Sequence, residues 1–173
     1  MTKNSKLIYI CTNGNLSEVK YLLEHGANVH TCNDAPLRRS ASRGYLEIVK
    51  YLVEYGANIH IDQDAPLRYA VSHGHLEVVK YLVEYGSNMH IWNDTPLLYA
   101  ASHGHLEIVK YLVENGANIH IGEDAPLRNA AYHGHLEVVT YFRKIAGNKW
   151  KCHNCLVSPT CLNLCESCNN DKK

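Results

Sequence analysis

The chain has 173 residues, in which 17 lysines and arginines balance 17 aspartates and glutamates. Zero formal charge gives no general attraction to nucleic acid or anionic lipid. No run reaches the roughly 18 apolar residues that a membrane span requires.

The N-terminal stretch MTKNSKLIYICTNG lacks the long apolar segment and small-residue cleavage site of a secretory signal. Seven cysteines, an odd number, do not form a disulfide framework. Together these features predict an intracellular, cytoplasmic protein in a reducing compartment. Twelve histidines make the charge pH-sensitive, because their ordinary pKa lies near 6.5.

From Gly14 onward one motif recurs every thirty residues. The copies read GNLSEVKYLLEHGANVH from Gly14, GYLEIVKYLVEYGANIH from Gly44, GHLEVVKYLVEYGSNMH from Gly74, GHLEIVKYLVENGANIH from Gly104 and GHLEVVTYFRKIAGNKW from Gly134. Such a period marks a stack of repeats, each burying its apolar face against its neighbours.

Residues 1–30 open the array without an Asp-x-Pro start, and the polar run Lys3, Asn4, Ser5, Lys6 suits a solvent-facing cap. The repeats then fall at 31–60, 61–90, 91–120 and 121–147. In the copy from 61, Asp64-Ala65-Pro66 reads as a helix N-cap with proline in the first turn. A short helix follows through Leu67, Ala70 and Val71 and stops at Gly74, whose left-handed freedom suits a tight C-cap.

A second helix begins near His75, with Leu76, Val78, Val79, Leu82 and Val83 on one face and Glu77, Lys80 and Glu84 on the other. Gly86 ends it, and Asn88-Met89-His90-Ile91 is expected to begin an extended connection to the next Asp-x-Pro. Thr140, Arg143 and Lys144 add polarity to the last second helix, as a terminal repeat requires.

Thr95-Pro96-Leu97, the Ala-Pro-Leu of three other copies, Gly-His-Leu-Glu-Val-Val and Gly-Ala-Asn together resemble the ankyrin repeat. The resemblance spans about residues 1–147 and implies an all-α repeat solenoid of about five helix-turn-helix units. The phrasing KYLVExGANIH looks closest to the ankyrin proteins of giant DNA viruses, which would place the chain in a host cell. The family period is 33, so this chain falls three residues short. The shortfall lies between Gly86 and Pro96 and predicts shortened hairpin loops.

The resemblance places binding on the loops and first helices, the concave side in that family. The positions varying against the constant scaffold there are Arg38, Arg39, Arg43, Arg68, Tyr69, His73, Trp92, Asn93, Tyr99, His103 and Arg128. Trp92 stands out because tryptophan, tyrosine and arginine dominate interface hot spots. The arginines would form a basic strip for an acidic partner, or else cover apolar surface with their stems. His73-Gly74-His75 and its copies, the ladder His30, His60, His90, His120, and the tyrosines 21, 51, 81, 111 and 141 follow the scaffold period. They read as architecture.

The last segment, 148–173, has a different composition. Cys152-x2-Cys155 and Cys165-x2-Cys168 form two thiol pairs with nine residues between them, the pattern of a four-cysteine zinc site. Cys161 and His153 are spare ligands. Trp150-Lys151-Cys152-His153-Asn154-Cys155 resembles the opening of nucleoporin-type zinc fingers, whose members bind ubiquitin or single-stranded RNA. The spacer is one residue short, and Pro159 stands where that family has asparagine. A RING-type module needs eight ligands for two ions, so only a truncated relic would fit.

The sequence thus points to a non-catalytic, monomeric scaffold that binds a protein partner, with no membrane and no nucleic-acid role. The alternative is an adaptor in ubiquitin transfer whose zinc-binding tail contacts ubiquitin or a ligase. An enzyme is the weakest reading, since no nucleophile elbow, phosphate loop or metalloprotease helix is present.

Overall fold

The computed structural model describes residues 1–146. These form ten helices and no strand: α1 Lys3–Asn13, α2 Leu16–Glu24, α3 Thr31–Arg43, α4 Leu46–Glu54, α5 Ile61–Ser72, α6 Leu76–Glu84, α7 Ile91–Ser102, α8 Leu106–Glu114, α9 Ile121–Tyr132 and α10 Leu136–Ala146. The helices separate into two compact units, Met1–Trp92 and Asn93 onward. The boundary falls at the start of α7.

In the first unit the odd-numbered helices α1, α3 and α5 lie side by side, and α2, α4 and α6 do the same. Val78, Val79 and Leu82 are fully buried on α6, as are Leu67, Ala70 and Val71 on α5. Each such valine or leucine contributes about 1.5–3 kcal/mol on burial. The 3.6-residue spacing seen in the sequence is therefore the packing face. In the second unit Leu97, Ala101, Ile108, Val109, Leu112, Ala130 and Phe142 play the same part.

Helix ends follow the expected punctuation. Thr2 caps α1 by accepting from the Ser5 amide at 3.1 Å, and Asn15 caps α2 by accepting from Glu18. Gly44 is left-handed (φ 76°) at the end of α3. It has a second reason to be glycine, because an added Cβ would lie 2.4 Å from Nδ1 of the His75 ring. That ring donates through Nε2 to the Ser42 carbonyl at 3.0 Å, so the second histidine of His-Gly-His ties one repeat to the one before. A carbonyl only accepts, which fixes the proton on Nε2. In the second unit His135 does the same to Ser102 across Gly104.

The connections between repeats differ from expectation. They are neither extended nor hairpin-like. Three successive residues adopt the left-handed region in each: Cys32-Asn33-Asp34, Asp62-Gln63-Asp64, Trp92-Asn93-Asp94 and Gly122-Glu123-Asp124, with φ between 46° and 64°. This compact turn takes up the missing three residues and runs directly into the right-handed helix at Ala35, Ala65, Thr95 or Ala125. The left-handed region costs about 1–2 kcal/mol per ordinary residue, and Asn and Asp tolerate it best. The recurring Asn-Asp and Asp-x-Asp spellings suit that demand.

The last aspartate of the turn also departs from its expected role as a cap for its own helix. Asp34 is buried, and its Oδ1 accepts from His30 Nδ1 at 3.0 Å and from the Asn58 backbone amide of the next repeat at 3.0 Å. Asp94 accepts from the Asn118 amide at 3.1 Å in the second unit. In the first repeat Asn4 takes this place, accepting from the Asn28 amide at 2.9 Å. His60 and His120 pair with Asp64 and Asp124 at 2.9 and 2.7 Å. The histidine ladder is therefore half of a repeated His–Asp link.

One repeat breaks the pattern at Ser87, which stands where the others have Ala27, Ala57 and Ala117. All four are buried, and the Ser87 hydroxyl has no hydrogen-bond partner. A buried hydroxyl left unpaired costs free energy that alanine avoids. Ser87→Ala should stabilise the protein by about 1 kcal/mol. The check is urea unfolding, where the midpoint should rise with the slope unchanged.

Candidate functional site

The candidate residues divide by what their side chains already do. Arg38 lies against its own turn, donating through Nε to the Asn33 carbonyl at 2.9 Å and through Nη2 to the Cys32 carbonyl at 2.8 Å. Arg68 repeats this with Gln63 and Asp62, at 3.2 and 2.9 Å, and Arg128 donates to Gly122 at 2.9 Å. Left-handed residues turn their carbonyls outward, and an arginine five or six positions later reaches back to satisfy them. Arg38 also sits 3.5 Å from the Asp62 carboxylate of the following turn.

Position 98 is leucine, so the repeat starting at Ile91 lacks this arginine. Its turn instead begins with Trp92, and the Arg68 guanidinium lies 4.6 Å from the centre of the Trp92 ring. That stack is a cation–π contact. Trp92 remains 49% exposed. It is a surface aromatic held in place by a neighbour.

Arg39 and Arg43 behave differently. Both are exposed on α3, four residues apart, and among the described residues neither has a hydrogen bond or ion pair. Tyr69 on α5 shares the register position of Arg39 and is 40% exposed. Tyr9 on α1 holds that position in the first repeat and is 55% exposed. Tyr9 was not among the sequence candidates, although a thirty-residue step back from Arg39 reaches it. The packed helices α1, α3 and α5 thus carry a row of Tyr9, Arg39 and Tyr69. Beside it runs a second row of Asn13, Arg43 and His73.

His73 is exposed, and its Nδ1 donates to the Tyr69 carbonyl at 2.9 Å at the end of its helix. In the second unit His103 makes the same bond to Tyr99, whose ring is half-buried. Asn93 is exposed in its left-handed turn. The exposed Arg128 sits 3.6 Å from Glu123. The structure therefore places Arg39 and Arg43 of α3 in register with Tyr69 and His73 of the neighbouring α5. It assigns Arg38, Arg68 and Arg128 to their turns.

Among the described residues no group of three or more histidines, cysteines or acids is placed to hold a metal ion. Cys11 is buried, and burial pushes its thiol up to about 11 against a weaker lowering by Ser40, so it is protonated at neutral pH. Cys32 is exposed. No described helix is long and apolar enough to cross a membrane. The zinc candidates Cys152, Cys155, Cys165 and Cys168 lie outside the described residues.

The architecture is that of a helix-pair repeat protein. A family model described as ankyrin repeats in three copies matches residues 2–63 and 67–151. The chain belongs to the ankyrin repeat family. Proteins of this kind generally mediate protein–protein interaction. No curated protein matches the chain.

Proposed function

We propose that this chain is a non-catalytic interaction module whose first-helix face, in the unit Met1–Trp92, binds an acidic segment of a protein partner. The observation that carries the reading is the contrast between arginines. Arg38 and Arg68 are consumed by turn carbonyls, whereas Arg39 and Arg43 stand exposed and unpaired, Arg39 in the row with the exposed Tyr9 and Tyr69 and Arg43 in the row with Asn13 and His73. Tyrosine and arginine supply most interface hot spots, and a fixed aromatic flank lowers the entropy lost on binding. Trp92, braced by Arg68, extends the contact surface towards the turn side. In the second unit Tyr99 and His103 occupy the corresponding positions and, with the exposed Asn93 of the turn, form a lesser candidate surface. The module acts as a monomer inside the cell, in the host cytoplasm if the giant-virus phrasing reflects its origin.

The test is affinity capture from cells expressing the full chain. Arg39→Glu with Arg43→Glu should reduce recovery of the bound partner by about tenfold or more, equivalent to about 1.4 kcal/mol or more, while leaving the melting temperature unchanged. Undiminished recovery would remove this face from consideration.

The tail carries a second reading. Its two Cys-x2-Cys pairs suit one zinc ion held by Cys152, Cys155, Cys165 and Cys168, and zinc would supply folding free energy that so short a segment lacks. A zinc-folded tail would support adaptor work in ubiquitin transfer, with the repeats selecting the substrate. The protein purified without chelators should contain about one zinc per chain and lose it on Cys152→Ser with Cys155→Ser. Metal-free protein with every tail thiol reactive would contradict this.

A further inference from the structure

The second helices of the first unit present a different surface. Along α2, α4 and α6 run exposed or half-exposed tyrosines, one pair per repeat after the first. Tyr51 and Tyr55 have ring centres 6.0 Å apart, and Tyr81 and Tyr85 are 5.4 Å apart. Tyr55 is anchored by donating its hydroxyl to the Leu23 carbonyl at 2.9 Å, which lays its ring across the gap between α2 and α4. Even so, Tyr55 is 44% exposed and Tyr85 is 54% exposed. Apolar ring surface held open in this way marks a contact face.

The charges on this face are uneven. Lys50 and Lys80 turn to Glu47 and Glu77 on their own helices, both at 2.9 Å. Lys20 lies over the Tyr51 ring, 5.2 Å from its centre. These contacts engage the lysines and leave the exposed carboxylates of Glu24 and Glu54 without an ion pair among the described residues. Both carboxylates lie close to the phenols. Tyr51 is pushed above its ordinary pKa first by burial and then by Glu24, Tyr55 and Glu54, and Tyr81 by burial, Tyr85 and Glu54.

We infer that this second-helix face docks a basic, arginine-containing segment of a partner protein, with guanidinium groups seated on the Tyr81 and Tyr85 rings and paired to Glu24 and Glu54. The chemistry is already displayed on this face, where Lys20 covers Tyr51. Among the described residues no cation covers the Tyr81 ring, since Lys50 goes to Glu47 instead. Planar guanidinium both stacks on aromatic faces and forks to carboxylates, so arginine suits this pairing better than lysine. The site is separate from the first-helix face and stands or falls without it.

The test uses the full chain and a fluorescein-labelled peptide of eight arginines, read by anisotropy at physiological salt. The wild type should bind, and Glu24→Gln with Glu54→Gln should weaken binding about tenfold. Glu47→Gln with Glu77→Gln removes the same formal charge from carboxylates already paired to lysine and should change binding less than about threefold. Tyr81→Leu with Tyr85→Leu should also weaken binding, by about fivefold, with the helical signal retained. Absence of peptide binding, or equal loss in the two glutamate pairs, would overturn the proposal. So would self-association of the wild type that the Glu24 and Glu54 pair abolishes, because the face would then hold a second copy.

Discussion

The carboxylate that closes each connecting turn, buried at Asp34, Asp64 and Asp94, is the constraint on which the rest of this protein depends. Asp34 sits at the end of three left-handed residues, a conformation the backbone resists. What holds it there is a pair of bonds, one to His30 and one to the Asn58 amide of the next repeat. A buried carboxylate that accepts from a backbone amide of the next repeat contributes more than a surface pair, because without those donors it would be left desolvated and alone. One side chain therefore sets the turn and the spacing to the neighbouring repeat together. The thirty-residue period follows from this turn, which needs three residues fewer than the family's hairpin.

The turn also decides which residues remain for recognition. Its outward carbonyls take up Arg38, Arg68 and Arg128, leaving Arg39 and Arg43 as the unpaired cations of the first unit. The repeat without this arginine places Trp92 in the turn, where Arg68 stacks on it. On the second helices the i,i+3 pairs take up Lys50 and Lys80. What looks in the sequence like a balanced mixture of charges becomes two differently charged faces once internal partners are subtracted. Zero net charge conceals that division.

Much of this was legible in the sequence. The spacing of Val78, Val79 and Leu82 gave the second helix and its buried side, and Gly44 and Gly74 marked the turns between helices, because both signals depend on local periodicity and backbone freedom. The left-handed connections were not legible. Asp-x-Pro reads locally as a cap, and only the amide of Asn58, twenty-four residues further on, shows why Asp34 is buried. Arg38 and Arg39 look equivalent as neighbours in the chain, yet the helix turns one towards the carbonyls and the other to solvent. The tyrosine ladder was readable as periodic scaffold, but the tether from Tyr55 to Leu23 that keeps its ring at the surface was not.

The most direct test compares Asp34→Ala with Asp62→Ala by urea unfolding. Both residues are left-handed, at φ 49° and 46°, so the backbone consequence of alanine is common to the two. They differ in burial and bonding, since the Asp62 side chain is 46% exposed and its ion pair to Arg38 spans 3.5 Å. Asp34→Ala should lower stability by about 2 kcal/mol more than Asp62→Ala, because it removes two hydrogen bonds to a buried carboxylate, one of them the link to the next repeat. Equal losses in the two variants would contradict the account.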